Sequence, residues 1–200
     1  MTAETFRKDR YLRACGYNFY VWAGVNLLVT WPLWSALRGH AWPLWLAVLE
    51  PFALVATGVV LSALNDNRVE KMWGPPSEQA VVEAGSFWGP VLLVALSLTV
   101  VFSVRGPVAY VQPVWLLLVG AAYWTWGNFA VPEFRWFGGT LVAAGTMAGL
   151  AVRPDPAFPG LPSREALLVW MLFMGVLWLP FGAYINRKYV YPPPAERSRP

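Results

Sequence analysis

The chain has 200 residues, of which 57% are hydrophobic and 13% are charged, and its formal net charge is +4. Soluble domains average about 25% charged residues, so this composition excludes an ordinary soluble domain, which needs more polar groups to cover its surface. The composition predicts an all-α, polytopic membrane protein. The positive charge does not indicate nucleic acid, because the basic residues lie in the two tails and at the ends of apolar segments.

Six apolar segments have about the length needed to cross the roughly 30 Å hydrocarbon core of a bilayer. In chain order they are residues 17–37, 42–64, 87–104, 108–126, 137–152 and 166–185. They are continuously apolar and lack the alternation of outer-membrane strands, so they predict six transmembrane helices. We expect one integral membrane bundle over residues 1–190, followed by a proline-rich, disordered cytoplasmic tail at 191–200.

Basic residues predict the orientation of the six segments. The termini and the 65–86 and 127–136 loops share one side of the membrane, and that side holds eleven of the 15 basic residues. These eleven are Arg7, Lys8, Arg10, Arg13, Arg68, Lys71, Arg135, Arg187, Lys188, Arg197 and Arg199. Because cytoplasmic loops carry the excess of Lys and Arg, we expect both termini in the cytoplasm and the chain in a plasma (inner) membrane.

The segment 65–86 is the longest predicted loop between spans. Asn65–Arg68 contains turn-forming residues after an apolar segment, and Ser77 is placed to cap a short helix over 78–84. The 13 tryptophans fall mostly near the predicted span ends, with Trp88 and Trp126 on the cytoplasmic side and Trp115 on the outer side. This distribution predicts two aromatic belts at the membrane interfaces. An aromatic-lined site for a pigment, quinone or sterol is the alternative.

A weak internal repeat runs through the chain. Segments 24–29, 89–94 and 138–143 each begin with glycine, and segments 44–46, 114–116 and 169–171 each place a tryptophan between two apolar residues. This pattern predicts three helical hairpins inserted in the same direction.

The repeat also predicts a polar layer inside the membrane. Five residues after Trp45, Trp115 and Trp170 the chain has Glu50, Gly120 and Gly175. Glu50 is the one acidic residue well inside a predicted span, where an ionisable group is costly and points to function by default. The two glycines would leave space beside the carboxyl, and Asn26 would line the same space. A protonated carboxyl that is simply hydrogen-bonded inside the bundle is the structural alternative.

Gly145 and Gly149 form a GxxxG motif in the fifth segment, where small residues allow helices to approach closely. The motif predicts either packing inside the bundle or a homodimer face. The single histidine, His40, and the single cysteine, Cys15, do not make a metal, haem or catalytic site. We therefore predict no cofactor, no metal and no catalytic residues.

Three functions remain open on the sequence alone. The first is a non-catalytic accessory or sensor-like membrane component, whose partners are the lipid bilayer and a second protein or a second copy of the chain. The second is a small proton-linked transporter that uses Glu50. The third is an interfacial lipid-modifying enzyme with Asp66 at its site, although an enzyme is the less favoured reading.

Overall fold

The computed structural model describes residues 10–36, 44–73, 78–105, 108–128, 131–152 and 164–190. The helices are α1 (Arg10–Ala36), α2 (Leu44–Trp73), α3 (Glu78–Arg105), α4 (Val111–Trp126, after a 3-10 turn at Val108–Tyr110) and α5 (Glu133–Ala151). The C-terminal helix consists of α6 (Arg164–Trp170), a π-helical stretch Met171–Val176, α7 (Trp178–Ile185) and a second π-helical stretch Asn186–Val190. Every regular element in these ranges is helical, so the all-α prediction is confirmed.

Three of the described helices are long and apolar enough to cross a membrane. They cover Gly85–Arg105 in α3, Val108–Trp126 in and before α4, and Arg164–Lys188 in the C-terminal helix. These three coincide with the third, fourth and sixth predicted segments. Helices α1, α2 and α5 also cover their predicted segments, but six spans remain a prediction.

The predicted turn at Asn65–Arg68 is wrong, whereas residues 78–84 are helical as predicted and form the first turns of α3; the predicted break at 74–77 lies outside the described residues. Helix α2 continues without a break through Asn65–Arg68 to Trp73, and α3 runs as one helix from Glu78 to Arg105. The side chains of Asn65 and Asp66 are of the turn-forming type. Both bond to Asn18 of α1, which leaves the helix of α2 free to continue.

Helices α4 and α5 form the closest hairpin of the bundle. A Cβ atom on Gly138 would lie 2.3 Å from the backbone nitrogen of Trp124 and 2.5 Å from the carbonyl oxygen of Gly120. The two backbones are therefore in contact at this level, which only glycine on both helices permits. Helix α5 begins where Pro132 and Glu133 follow the turn, and the amide of Phe134 donates to the carbonyl of Val131.

An aromatic core fills the interior between α1, α4, α5 and the C-terminal helix. It consists of Phe19, Tyr123, Phe134, Phe137, Trp178 and Phe181. The Phe19 ring lies 5.2 Å from Trp178 and 5.0 Å from Phe181, measured between ring centroids, and contacts the other three rings as well. Tilted and edge-to-face pairs of this kind stabilise beyond the area that they bury, so the core fixes how the helices meet.

Two tryptophans assigned to the aromatic belts are not at the surface. Trp115 and Trp126 are 5% and 8% exposed and belong to the bundle interior. The indole nitrogen of Trp115 finds a buried hydroxyl on Thr99, 2.8 Å away, and this bond allows an amphipathic ring to leave the interface. Trp136, by contrast, is 81% exposed, as a belt residue would be.

Candidate functional site

The predicted polar layer is only partly covered by the structure. The backbone of Glu50 lies in α2, but its side chain falls outside the described part of the molecule. Asn26 is fully buried in α1, and its Nδ2 atom donates to the carbonyl oxygen of Trp22 at 2.7 Å. Its Oδ1 atom has no hydrogen-bond partner among the described residues. The role assigned to Glu50 and Asn26 therefore stays a prediction.

Gly120 and Gly175 lie at the same level of two parallel helices. Helix α4 and the C-terminal helix run parallel, because Trp115 contacts Trp170 and Tyr123 contacts Trp178 at the same chain offset. Each glycine, however, packs tightly on a neighbouring helix. A Cβ at Gly120 would lie 2.8 Å from the Gly138 carbonyl oxygen, and one at Gly175 would lie 2.6 Å from Leu27. The two glycines bring helices together and leave no free volume at these positions.

The glycines of the GxxxG motif in α5 face the same chain. A Cβ at Gly145 would approach Leu116 and Leu117 of α4 to 3.0 Å, and one at Gly149 would lie 3.8 Å from Pro113. This motif is thus used inside the bundle, on the face opposite to the exposed Met147 and Leu150. Of the two readings of the motif, the structure favours packing inside the chain.

A polar cluster joins α1 to α2 at one end of the bundle, which we call the Asp66 end. Asn65 donates to Asn18 at 2.9 Å, and Asn18 donates to the Asp66 carboxylate at 3.2 Å. Desolvation by surrounding protein atoms raises the pKa of Asp66, and the hydrogen bond from Asn18 partly offsets this effect. The same end carries an ion pair between Lys188 and Glu133. The cluster ties two helices, and its one carboxylate accepts a hydrogen bond from the Asn18 amide.

A largely exposed apolar surface belongs to α3. Of its apolar segment Gly85–Arg105 only 11% is buried, against 61% for the segment Val108–Trp126. Only Ala95 and Thr99 of α3 are buried in the described core. A stripe at four-residue spacing carries Gly85, Gly89, Leu93 and Ser97, all of them exposed. A Cβ on either glycine would meet nothing within 4 Å.

This stripe is a second GxxxG motif, Gly85–Gly89, and the sequence analysis missed it. The motif lies at the predicted entrance of a span and next to Phe87 and Trp88, so the apolar pattern alone did not single it out. Its spacing is the same as that of Gly145 and Gly149. The two motifs differ in their surroundings, because a neighbouring helix packs against Gly145 and Gly149 but not against Gly85 and Gly89 in the described residues.

Among the described residues no three His, Cys, Asp or Glu side chains come together as metal ligands would. Comparisons with protein-family models, with curated proteins and with solved structures find no match to this chain.

Proposed function

We propose that the chain is a six-span integral membrane protein that serves as a non-catalytic component of a membrane complex and binds a transmembrane helix of another protein through α3. The observation that carries this proposal is the exposed stripe of α3, in which an apolar helix is scarcely buried and two glycines lie in open space. Lipid tails are as apolar as leucine, so close packing of small residues is what drives one helix onto another in a bilayer.

The behaviour of α5 supports this use of α3. Gly145 allows α4 to approach until a Cβ would be 3.0 Å from Leu116, which shows what a GxxxG motif does in this bundle when a helix is available. Gly85 and Gly89 offer the same spacing, and no helix in the part of the chain that the structure describes occupies that face. Leu93 and Val104 continue the stripe with apolar contact surface.

The six-span topology with both termini in the cytoplasm is part of the proposal. It rests on the basic residues of the tails and of the 65–86 and 127–136 segments. Single cysteines at Glu70 and at Gly160 test it in intact cells with a membrane-impermeant thiol reagent. Labelling of position 160 alone is expected, and labelling of position 70 would reverse the orientation.

Photo-crosslinking from α3 tests the docking surface. A photoreactive amino acid at Leu93, which is 68% exposed, is expected to give one discrete protein adduct in native membranes. The same probe at Leu150 on α5, which is 83% exposed, is expected to give lipid adducts only. Replacing Gly85 and Gly89 by leucine should remove the adduct. A matched variant with leucine at the exposed Ala121 and Ala143 should retain it.

The identity of the adduct decides the partner. An adduct with the mass of two copies of the chain makes the protein a homo-oligomer through the same face. Lipid adducts alone at Leu93, or an adduct that survives leucine at both glycines, would contradict the proposal.

A proton-linked transporter is the second candidate, and the buried amide oxygen of Asn26 is the observation that favours it. Gly58 contacts Trp22 and Asp66 contacts Asn18, so in the antiparallel pair of α1 and α2 Asn26 lies about one to two helical turns from the level of Glu50. Glu50→Gln keeps the shape and removes the titration. It should preserve folding and abolish proton-coupled solute flux in liposomes. Flux unchanged in Glu50→Gln would exclude Glu50 as the coupling site.

A further inference from the structure

The hydrogen bond between Trp115 and Thr99 fixes how α3 and α4 face each other. The indole N–H of Trp115 donates to Oγ1 of Thr99 at 2.8 Å, and the Thr99 hydroxyl donates to the carbonyl oxygen of Ala95 at 2.9 Å. The two helices are antiparallel, since Trp88 contacts Tyr123 and Trp126 further along the pair. One turn away from the Thr99–Trp115 bond, on the same faces, α3 places Ser103 and α4 places Gln112.

Three side chains near this bond, the buried Gln112 and Trp170 and the half-buried Ser103, have buried polar atoms without a protein partner in the described residues. Gln112 is 2% exposed, and both its Nε2 and its Oε1 are buried and unpaired. The same holds for Oγ of Ser103 and for Nε1 of Trp170, whose ring meets that of Trp115 edge to face at 6.3 Å between centroids. We call Ser103, Gln112 and Trp170 the polar trio.

An unpaired amide buried in a bundle is costly, because burial removes its bonds to water and nothing replaces them. A leucine at position 112 would fill similar volume without this cost. Three unpaired polar groups, one each on α3, α4 and the C-terminal helix and all near one ring pair, are the pattern of a site whose bonds are completed by a ligand.

The chemistry of the polar trio defines the ligand class. None of its three groups is charged. The amide of Gln112, the indole of Trp170 and the hydroxyl of Ser103 each offer an N–H or O–H donor, so they suit a neutral molecule with a polar atom that accepts hydrogen bonds. The rings of Trp115 and Trp170 supply flat apolar walls.

Access to the trio would come from lipid. Val100, Val101 and Val104 of α3 are exposed on either side of Ser103 in the chain. A molecule dissolved in the hydrocarbon region can therefore reach the flank of α3 without crossing the polar Asp66 end.

We propose that Ser103, Gln112 and Trp170 bind the carbonyl group of a neutral, lipid-soluble molecule. A ring carbonyl of a quinone and an ester carbonyl of a glycerolipid share this chemistry. The proposal rests on the membrane placement given above, but not on docking through α3.

The test uses the full chain in nanodiscs of ether-linked phosphatidylcholine, which contain no carbonyl groups. Decylubiquinone labelled with ¹³C at its ring carbonyls is titrated, and its carbonyl stretch is followed in infrared difference spectra. Binding with a lowered carbonyl frequency is expected for the parent. At least tenfold weaker binding is expected for Gln112→Leu, and weaker binding for Trp170→Phe.

Trp178→Phe is the matched control. It removes a buried indole N–H that also has no partner among the described residues, but at the aromatic core on the same C-terminal helix. Quinone affinity should stay within about twofold of the parent in this variant. Equal affinity in the parent and in Gln112→Leu would overturn the proposal.

Ester-linked nanodiscs distinguish the second source of the carbonyl. A lipid ester is the ligand if the quinone does not bind and ester lipid raises the melting temperature of the parent above its value in ether lipid. Gln112→Leu should then show no such rise in melting temperature. If neither quinone nor ester lipid has an effect that depends on Gln112, the site is wrong. A chain that does not enter nanodiscs as a folded protein would instead contradict the membrane placement itself.

Discussion

Gly138→Ala should separate α4 from α5. The added methyl group would lie 2.3 Å from the Trp124 nitrogen and 2.5 Å from the Gly120 oxygen, where ordinary contact needs at least 3.4 Å. Both neighbours are backbone atoms, so no side-chain rotation relieves the clash and the helices must move apart by about 1 Å. A gap of about 0.5–1 Å removes roughly a quarter to a half of the dispersion attraction between the atoms concerned.

The magnitude follows from two opposing effects. Overpacking typically costs about 1–3 kcal/mol, and a backbone clash belongs at the upper end of that range. Alanine in place of glycine favours the helix by about 1 kcal/mol. The free energy of unfolding should therefore fall by about 2 kcal/mol.

Reversible unfolding in mixed micelles, with SDS as the denaturant and far-UV circular dichroism as the signal, measures this change. Gly89→Ala is the control, because a Cβ there meets nothing within 4 Å and only the helix propensity changes. Its stability should equal or exceed that of the parent by up to about 1 kcal/mol. If Gly138→Ala is as stable as Gly89→Ala, the close approach of α4 and α5 is refuted.

Three further changes test other contacts. Thr99→Val should cost about 1–3 kcal/mol in the same assay, because it leaves the buried indole N–H of Trp115 without its acceptor; an unchanged stability would show that the bond is not formed. Phe19→Ala should cost about 3–5 kcal/mol by opening the aromatic core, while loss of the near-ultraviolet dichroism reports the freed rings. The pKa of Asp66 is raised in the folded chain, so protonated Asp66 stabilises the fold below the ordinary value of 3.8, and this stabilisation is lost as the pH rises through the raised pKa. Asp66→Asn should remove this pH dependence of stability. Parallel stability-against-pH profiles for the parent and the variant would contradict the prediction.

The helical class of the chain could be predicted because continuous apolar segments and scarce charges leave few other structures. Gly120 and Gly175 each follow a tryptophan by five residues, and the contact of Trp115 with Trp170 shows that they lie at the same level of two parallel helices. What packs beside each glycine could not be predicted, because that depends on which helix lies opposite.

Other features depend on contacts that a single sequence does not show. Asn65 and Asp66 are typical turn residues, yet they lie in a helix because Asn18 satisfies their side chains from α1. The π-helical stretch Met171–Val176, where the amide of Leu177 donates to the carbonyl of Leu172, lies in a uniformly apolar segment without a local signal. Burial of Gln112 was equally hidden, since a glutamine after Val111 at a predicted span end resembles an interfacial residue.

The unbroken course of α2 has a consequence for anything that approaches the Asp66 end. Thirty residues of α-helix extend about 45 Å, which exceeds the hydrocarbon core of a bilayer by about 15 Å. In the six-span topology proposed above, its last two to three turns extend beyond the hydrocarbon core and carry Asp66, Arg68, Glu70 and Lys71. A force applied to these last turns of α2 is transmitted along one continuous helix to the level of Gly58, where α2 packs against the ring of Trp22. The chain therefore has a mechanical connection from the water-exposed surface to the interior of the bundle.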